Sequence, residues 1–223
     1  MKELESLDRD GFARIQRFLT VGQCAELVKN YSNDKLYRST IDMKRYRFGQ
    51  GEYRYFGYPL PDIVRKIRTE LYEPLALVAN KWHEKLSIDL RYPKTHEEFI
   101  ELCHRNGQLR PTPLILQYDA GGHNTLHQDL YGDIYFPFQV VFMLTQQGTD
   151  YEGGEFVLTE QVPRAQSIAR VVRADRGDAV VFATNFKPVR GSRGYYRARM
   201  KHGVSEVLSG QRYAMGIIFH DAK

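Results

Sequence analysis

The sequence predicts an α+β fold in which helices pack outside a β-sandwich or barrel. Two observations predict it. Before Gly107, apolar residues recur every three or four positions, the spacing of one helix face. After Gly107 the chain changes to short β-branched and aromatic runs punctuated by Gly, Asp and Asn. Helices followed by a block of strands, rather than alternating with them, is the α+β order.

The elements follow in turn. "DGFARIQRFL" reads as a first strand. Thr20 and Gln23 fit the S/T-x-x-E/Q capping box and open a helix. From Asp62 to Leu86, the residues Ile63, Ile67, Leu71, Leu75, Val78, Trp82 and Leu86 mark one face of a long helix. Pro61 suits its first turn, and Pro74 predicts a kink. "THEEFIELCHRNG" repeats the pattern, with Thr95 and Glu98 as a capping box and Asn106-Gly107 as the stop. The strands then read as "TPLILQY", "FPFQVVFMLT", "GEFVLTE", "ARVVRA", "DAVVFAT" and "RYAMGIIF". One boundary is visible, near residue 110, and it separates layers rather than domains. Residues 1–109 are expected to form a mainly helical N-terminal layer, and 110–223 the catalytic core, of a single domain spanning 1–223.

Composition narrows the class. Hydrophobic residues are 42% and charged residues 26%, as in a soluble globular protein with a sizeable core. No run approaches the ~20 apolar residues of a membrane span, so no membrane partner is expected. The opening "MKELESLDRDGF" has no apolar signal region, and Cys24 and Cys103 form no CxxC pair. A reducing, cytoplasmic location is the expectation. The net charge of +5 permits an anionic partner.

The chemistry centres on "LHQDLYGD". In a strand, residues i and i+2 share a face, so His127 and Asp129 would converge while Gln128 points away. An imidazole and a carboxylate suit a first-row metal such as Fe(II). His202, in "KHGVSEV", is the best third ligand, and two His plus one carboxylate leave open positions for catalysis. By itself the H-x-D pattern also fits two polar residues in a turn. Three additions favour ligands. Arg212 follows His202 by ten residues across the turn signal "SGQ", on what would be the next antiparallel strand, where a guanidinium can grip a carboxylate. Tyr118 precedes His127 by nine residues and would donate to the same ligand. "RGDAVVF" supplies a turn and a strand before the last histidine.

Tyr118-x-x-Gly121, His127-x-Asp129, Gly153-Gly154-x-Phe156, Gly177-Asp178 with Phe182, then His202 and Arg212, resemble the Fe(II)/2-oxoglutarate-dependent dioxygenase superfamily. "RPTPLILQY", "LHQDLYGD", "GGEFVLTEQ" and "SGQRYAMGIIFHDA" look most like its prokaryotic oxygenase group labelled as acting on damaged DNA. The resemblance implies a double-stranded β-helix (jelly roll) core. It implies that His127, Asp129 and His202 bind Fe(II), and that Arg212, Tyr118 and Gln139 hold the cosubstrate 2-oxoglutarate. With O2 as second cosubstrate, 2-oxoglutarate becomes succinate and CO2 while the substrate is hydroxylated. "YDAGGHNTLHQD" also resembles AlkB-type dealkylases, whereas Leu116, Ile218 and the spacing from His202 to Arg212 depart from that type towards prolyl hydroxylases.

The substrate is expected to be an alkylated base in DNA or RNA; a hydroxylated N-alkyl carbon collapses and leaves as an aldehyde. The alternatives are a protein (prolyl) hydroxylase, a small-molecule hydroxylase or a non-enzymatic jelly-roll binding module. "KRYRFGQGEYRYFGY" and "KPVRGSRGYYRARMK" mix cations with aromatics, which suits nucleic acid, but also suits solvated strand edges. Residues 44–58 are expected to form a cover with a mobile turn at Gly49 and Gly51. Arg45 and Arg47 would contact phosphate; Tyr46, Phe48 and Tyr131 would contact the substrate. His83, His96, His104 and His220 read as packing or surface residues, and His123 as a loop residue.

Overall fold

A computed structural model describes residues 2–223. Its helices are Ser6–Asp10 (α1), Val21–Lys29 (α2), Asp62–Lys85 (α3) and His96–Arg105 (α4). The first strands are Phe12–Ile15 (β1), Tyr37–Asp42 (β2), Gly49–Gln50 (β3) and Glu52–Phe56 (β4). Then come Leu114–Tyr118 (β5), His123–His127 (β6), Phe138–Met143 (β7), Tyr151–Gly153 (β8), Phe156–Gln161 (β9) and Ile168–Val172 (β10). Ala179–Ala183 (β11), Phe186–Gly191 (β12), Gly194–Val204 (β13), Val207–Gly210 (β14) and Arg212–Ile218 (β15) complete the series.

The major sheet runs β1-β11-β7-β15-β5-β4-β2 and the minor sheet β10-β9-β13-β6-β3, with β12 paired to β13 and a separate β14-β8 pair. All these pairings are antiparallel. The chain passes repeatedly between the two sheets, from β5 to β6 to β7 and from β10 to β11 to β12, which makes the core a jelly roll. β7, "FQVVFM", is buried at every position because both faces of its sheet are covered. Phe138, Val140 and Phe142 join the helical layer's core, where Trp82 of α3 packs edge-on against Phe138 at 4.7 Å. Val141 and Met143 face the other way, into the jelly roll with Phe156, Leu158 and Phe182.

Both capping boxes are present: Thr20 exchanges hydrogen bonds with Gln23, and Thr95 with Glu98. Pro74 lies inside α3, and the buried face of that helix uses Val64 and Ala79 where the sequence periodicity pointed to Ile63 and Val78. The N-terminal layer holds more strand than expected. β1 caps one edge of the major sheet, β4 and β2 extend the other, and β3 joins the minor sheet. Among the described residues, no helix is long and apolar enough to cross a membrane.

One ion pair ties the helical layer to the chain's end. Arg68 of α3 and Asp221 are both buried, 2.8 Å apart. Arg68 also donates to the Ile218 and Phe219 carbonyls, while Tyr58 and His104 hydrogen-bond the second Asp221 oxygen. Burial pushes the Asp221 carboxyl up, but Arg68, His104 and Tyr58 outweigh it and hold the group below its usual value. Removing one partner strands the other charge, so Asp221→Asn should cost about 3–5 kcal/mol. A depressed carboxylate contributes stability that is present above its unfolded pKa and lost as pH falls towards its folded one. Chemical denaturation at several pH values should therefore show the wild type losing more stability than Asp221→Asn below about pH 4; parallel curves would refute the assignment.

Candidate metal centre and cosubstrate pocket

β6 and β13 are neighbours, and their register sets His127 directly opposite His202. The two rings lie 4.2 Å apart between centroids. Asp129 does not continue the strand as expected: β6 ends at His127, and Asp129 sits in the following loop. The loop still turns its carboxylate back. Oδ1 is 3.3 Å from His127 Nε2, and Oδ2 is 3.3 Å from His202 Nε2. Gln128 points away, as expected, and donates to the Asn185 and Met200 carbonyls at 2.8 Å each, which pins the loop.

His127 Nδ1 lies 2.6 Å from the Thr125 carbonyl, which can only accept. With Nδ1 engaged there, Nε2 is the ring atom that faces Asp129; burial pulls the His127 pKa down, but the Asp129 carboxylate outweighs it and holds the ring above the ordinary histidine value. One atom from each of the three residues falls within 4.8 Å of the others, a set able to hold a metal ion. Burial pushes the Asp129 carboxyl up, but the two imidazoles outweigh it and hold it well below its usual value. Burial, then the neighbouring His127, keeps His202 below the ordinary histidine pKa. Tyr131 donates to Asp129 Oδ1 at 2.8 Å, so its hydroxyl steadies this carboxylate.

The same cavity, about 240 Å³, is lined by Tyr118, Gln139 and Arg212. Arg212 stands opposite Tyr118, but on the major sheet. It is not on the strand next to His202: β14 intervenes, pairs with β8, and the chain crosses to the facing sheet. The crossing sets Arg212 across the cavity from the metal candidates rather than beside them. Arg212 is 1% exposed and has no carboxylate within ion-pair reach among the described residues. Its guanidinium meets Met143 Sδ at 3.5 Å and the faces of Tyr118 and Tyr151. Arg212 Nε, Gln139 Nε2 and the Tyr118 hydroxyl are all buried without a hydrogen-bond partner.

A family model described as "Oxygenase, catalysing oxidative methylation of damaged DNA" matches residues 51–222. The chain belongs to this oxygenase family. An uncharacterized protein of Mycobacterium tuberculosis is 44% identical over 167 residues, covering 75% of this chain and 72% of the relative. A Pseudomonas putida prolyl-4-hydroxylase structure superposes with a TM-score of 0.59 at 13% identity, over 100% of this chain and 98% of that one. A 2OG-Fe(II) oxygenase family structure from Burkholderia pseudomallei gives 0.54 at 13% identity, over 99% and 90%. Those two likenesses concern the fold.

The chain shares its fold with a 2OG-Fe(II) oxygenase, and its own atoms fit Fe(II) and 2-oxoglutarate. The two imidazoles and one carboxylate suit Fe(II). A buried guanidinium with no anion is costly, and unpaired donors beside it point to a missing carboxylate ligand.

The segment 44–58 borders the pocket, with Phe48, Tyr53 and Tyr55 in its lining. Its strands β3 and β4 are built into the minor and the major sheet. Gly49 and Gln50 pair with Asn124 and His123, and β4 pairs with β5. Gly49 and Gly51 serve close approach rather than motion. A Cβ at Gly49 would meet the His123 carbonyl at 2.2 Å, and one at Gly51 the Tyr118 ring at 2.8 Å. Tyr46 and Phe48 stack at 5.6 Å, with Arg45 over the Tyr46 ring, and Arg47 follows in the left-handed region. Tyr53 and Tyr55 fall within the aromatic stretch expected to cover the site, and their i, i+2 spacing in "EYRYF" sets both on one face of β4. His123 is the first residue of β6, not a loop residue, because its backbone pairs with Gln50. His83, His96 and His220 are buried in packing, and His104 is half-exposed beside Asp221.

Proposed function

We propose that the oxygenase oxidatively dealkylates damaged nucleic-acid bases, acting as one domain over residues 1–223. His127, Asp129 and His202 are its iron ligands; Arg212, with Tyr118 and Gln139, holds 2-oxoglutarate. Bound together, Fe(II), 2-oxoglutarate and O2 supply an oxidation that releases succinate and CO2 and hydroxylates the substrate. The chain's residues do the rest. Arg212 offers a planar fork to a carboxylate. Tyr131 holds one Asp129 oxygen, so the carboxylate keeps its aim. Phe182 and Phe156 wall the site beside His202 and keep water from that side.

The observation that carries the substrate is the Tyr46–Phe48 stack. Both rings are solvent-facing, 48% and 46% exposed, and Phe48 lines the cavity that also holds His127. A nucleobase stacks on such a platform whatever its sequence. Arg45 and Arg47 flank it and form no ion pair among the described residues, leaving both cations for phosphate. The family description supports the same class. On this reading the protein is a cytoplasmic DNA-repair enzyme, in keeping with its free, buried Cys24 and Cys103. Reaching an alkylated base inside a duplex requires flipping it out.

Succinate release decides the class: methylated oligonucleotides should stimulate it, and proline-containing peptides or a metabolite panel should not. Arg45→Gln with Arg47→Gln should weaken oligonucleotide binding for all sequences. It should also flatten the salt dependence by roughly one unit of slope per lost phosphate contact. Stimulation by a peptide alone would replace this reading with protein hydroxylation.

A further inference from the structure

β13 carries His202 and then runs on beyond the site as the long arm of a hairpin with β12. Side chains alternate along it. Ala198, Met200 and His202 are buried on the inner face, so Arg197, Arg199 and Lys201 share the outer face. Arg197 and Arg199 are exposed and Lys201 is half-buried. Their cross-strand partners are neutral. Arg197 stands opposite Pro188, Arg199 opposite Phe186 and Gln161, and Lys201 opposite Thr159. None of the three forms an ion pair among the described residues. The buried charge nearby is matched: Lys187 meets Glu160 at 3.0 Å, and Arg170 reaches the same carboxylate.

Three like charges at alternate positions, with no acid across from them, oppose one another within the strand. Blunting a sheet edge explains cations on an exposed strand. It does not explain Arg199 and Lys201. At Arg199 β13 has β12 on one side and β9 on the other, and at His202 it has β6 and β9. The row spans ~13 Å at about 3.3 Å per residue. Its lower end touches the rim of the cavity: Gln128, between His127 and Asp129, donates to the carbonyl of Met200, the residue between Arg199 and Lys201. Beyond its upper end Tyr195 shares this outer face and is solvent-exposed, with Lys85 Nζ 5.6 Å from its ring centroid, whereas Tyr196 alternates to the other face.

We propose that this outer face of β13 is a second nucleic-acid contact, which holds the sugar-phosphate backbone flanking the nucleotide in the cavity. The proposal rests on the nucleic-acid reading given above. It assigns the three cations to phosphates and the exposed Tyr195 ring to a neighbouring base.

The test is fluorescence anisotropy of a labelled oligonucleotide across a salt series. It compares the wild type, an Arg197→Gln/Arg199→Gln/Lys201→Gln variant and an Arg197→Lys/Arg199→Lys variant. The neutralised variant should lose about two to three units of the log–log salt slope, and the lysine variant should keep it, since a phosphate needs only the charge. Should the triple variant melt early, Arg199→Gln alone should still lose about one unit. An unchanged slope in the neutralised variants, with salt-dependent binding by the wild type, overturns the face and leaves the cavity reading intact. No salt-dependent binding by the wild type overturns both. Polyglutamate displacing the oligonucleotide as well as an unlabelled strand of equal charge also overturns the proposal, in favour of an acidic peptide.

Discussion

Asp129→Ala is expected to release no succinate above background and to lose Fe(II) binding by more than the 10–100-fold typical of removing an outer hydrogen-bond partner of a metal ligand. The reason is geometric. Asp129 is the single group that reaches both imidazoles, one oxygen to each at 3.3 Å. Without it, two neutral nitrogens remain and no anionic oxygen offsets the metal's charge. His127→Ala should act likewise, because it removes the ring whose Nδ1 is already engaged by the Thr125 carbonyl and whose Nε2 is aimed inward. His123→Ala is the control: it sits on the same strand, but its ring turns to the Gly121 carbonyl. Titration with Mn(II) or anaerobic Fe(II), beside a thermal melt, separates lost metal from lost fold. Full activity in His127→Ala would remove the triad.

The convergence of His127, Asp129 and His202 was legible because an imidazole and a carboxylate two residues apart carry their chemistry in the side chain. The local signals were legible for the same reason. Thr20 with Gln23, and Thr95 with Glu98, state a helix start within four residues. What failed to read depends on partners far away in the chain. β6 stops at His127 although β13 runs on: by Arg199 that side of β13 is taken by β12, and Gln128 meets β13 only through its side chain, at the Met200 carbonyl. No property of Gln128 or Asp129 announces that end. Arg212 was expected beside His202 because "SGQ" looks like a hairpin turn. Yet "VLSG" pairs with Tyr151–Gly153 and sends the next strand to the other sheet. β2 to β4 escaped notice because "YRSTID" and "EYRYF" are half-exposed and rich in charge, with no apolar run to mark them.

Gly49 and Gly51 make the same point in reverse. A glycine pair between aromatic and basic residues reads as flexibility. Its service here is to let the β3 backbone approach His123 and Gly51 approach the ring of Tyr118. The segment is thereby tied to both sheets and presents Phe48 to the cavity.

Arg212→Ala should raise the 2-oxoglutarate requirement steeply while leaving metal affinity nearly unchanged. Arg212 belongs to the major sheet and touches none of the three candidate ligands, so the metal set survives its loss. Losing a buried charge-assisted contact costs on the order of 2–5 kcal/mol, which is roughly 30-fold or more in affinity. Arg212→Lys should recover only part of it, since an ammonium lacks the planar fork that meets both carboxylate oxygens. The ligand-free protein adds an independent expectation. A guanidinium that is 1% exposed, with an unpartnered Nε, is a cost to the fold when no anion is bound. Arg212→Met, which fills similar space without charge, should therefore melt no lower than the wild type without 2-oxoglutarate. Adding the cosubstrate should then raise the wild-type midpoint and leave the variant's in place. Calorimetric titration of 2-oxoglutarate and paired thermal melts measure the two effects separately. Unchanged affinity in Arg212→Ala would mean that another group grips the carboxylate, and the buried guanidinium would have lost its explanation.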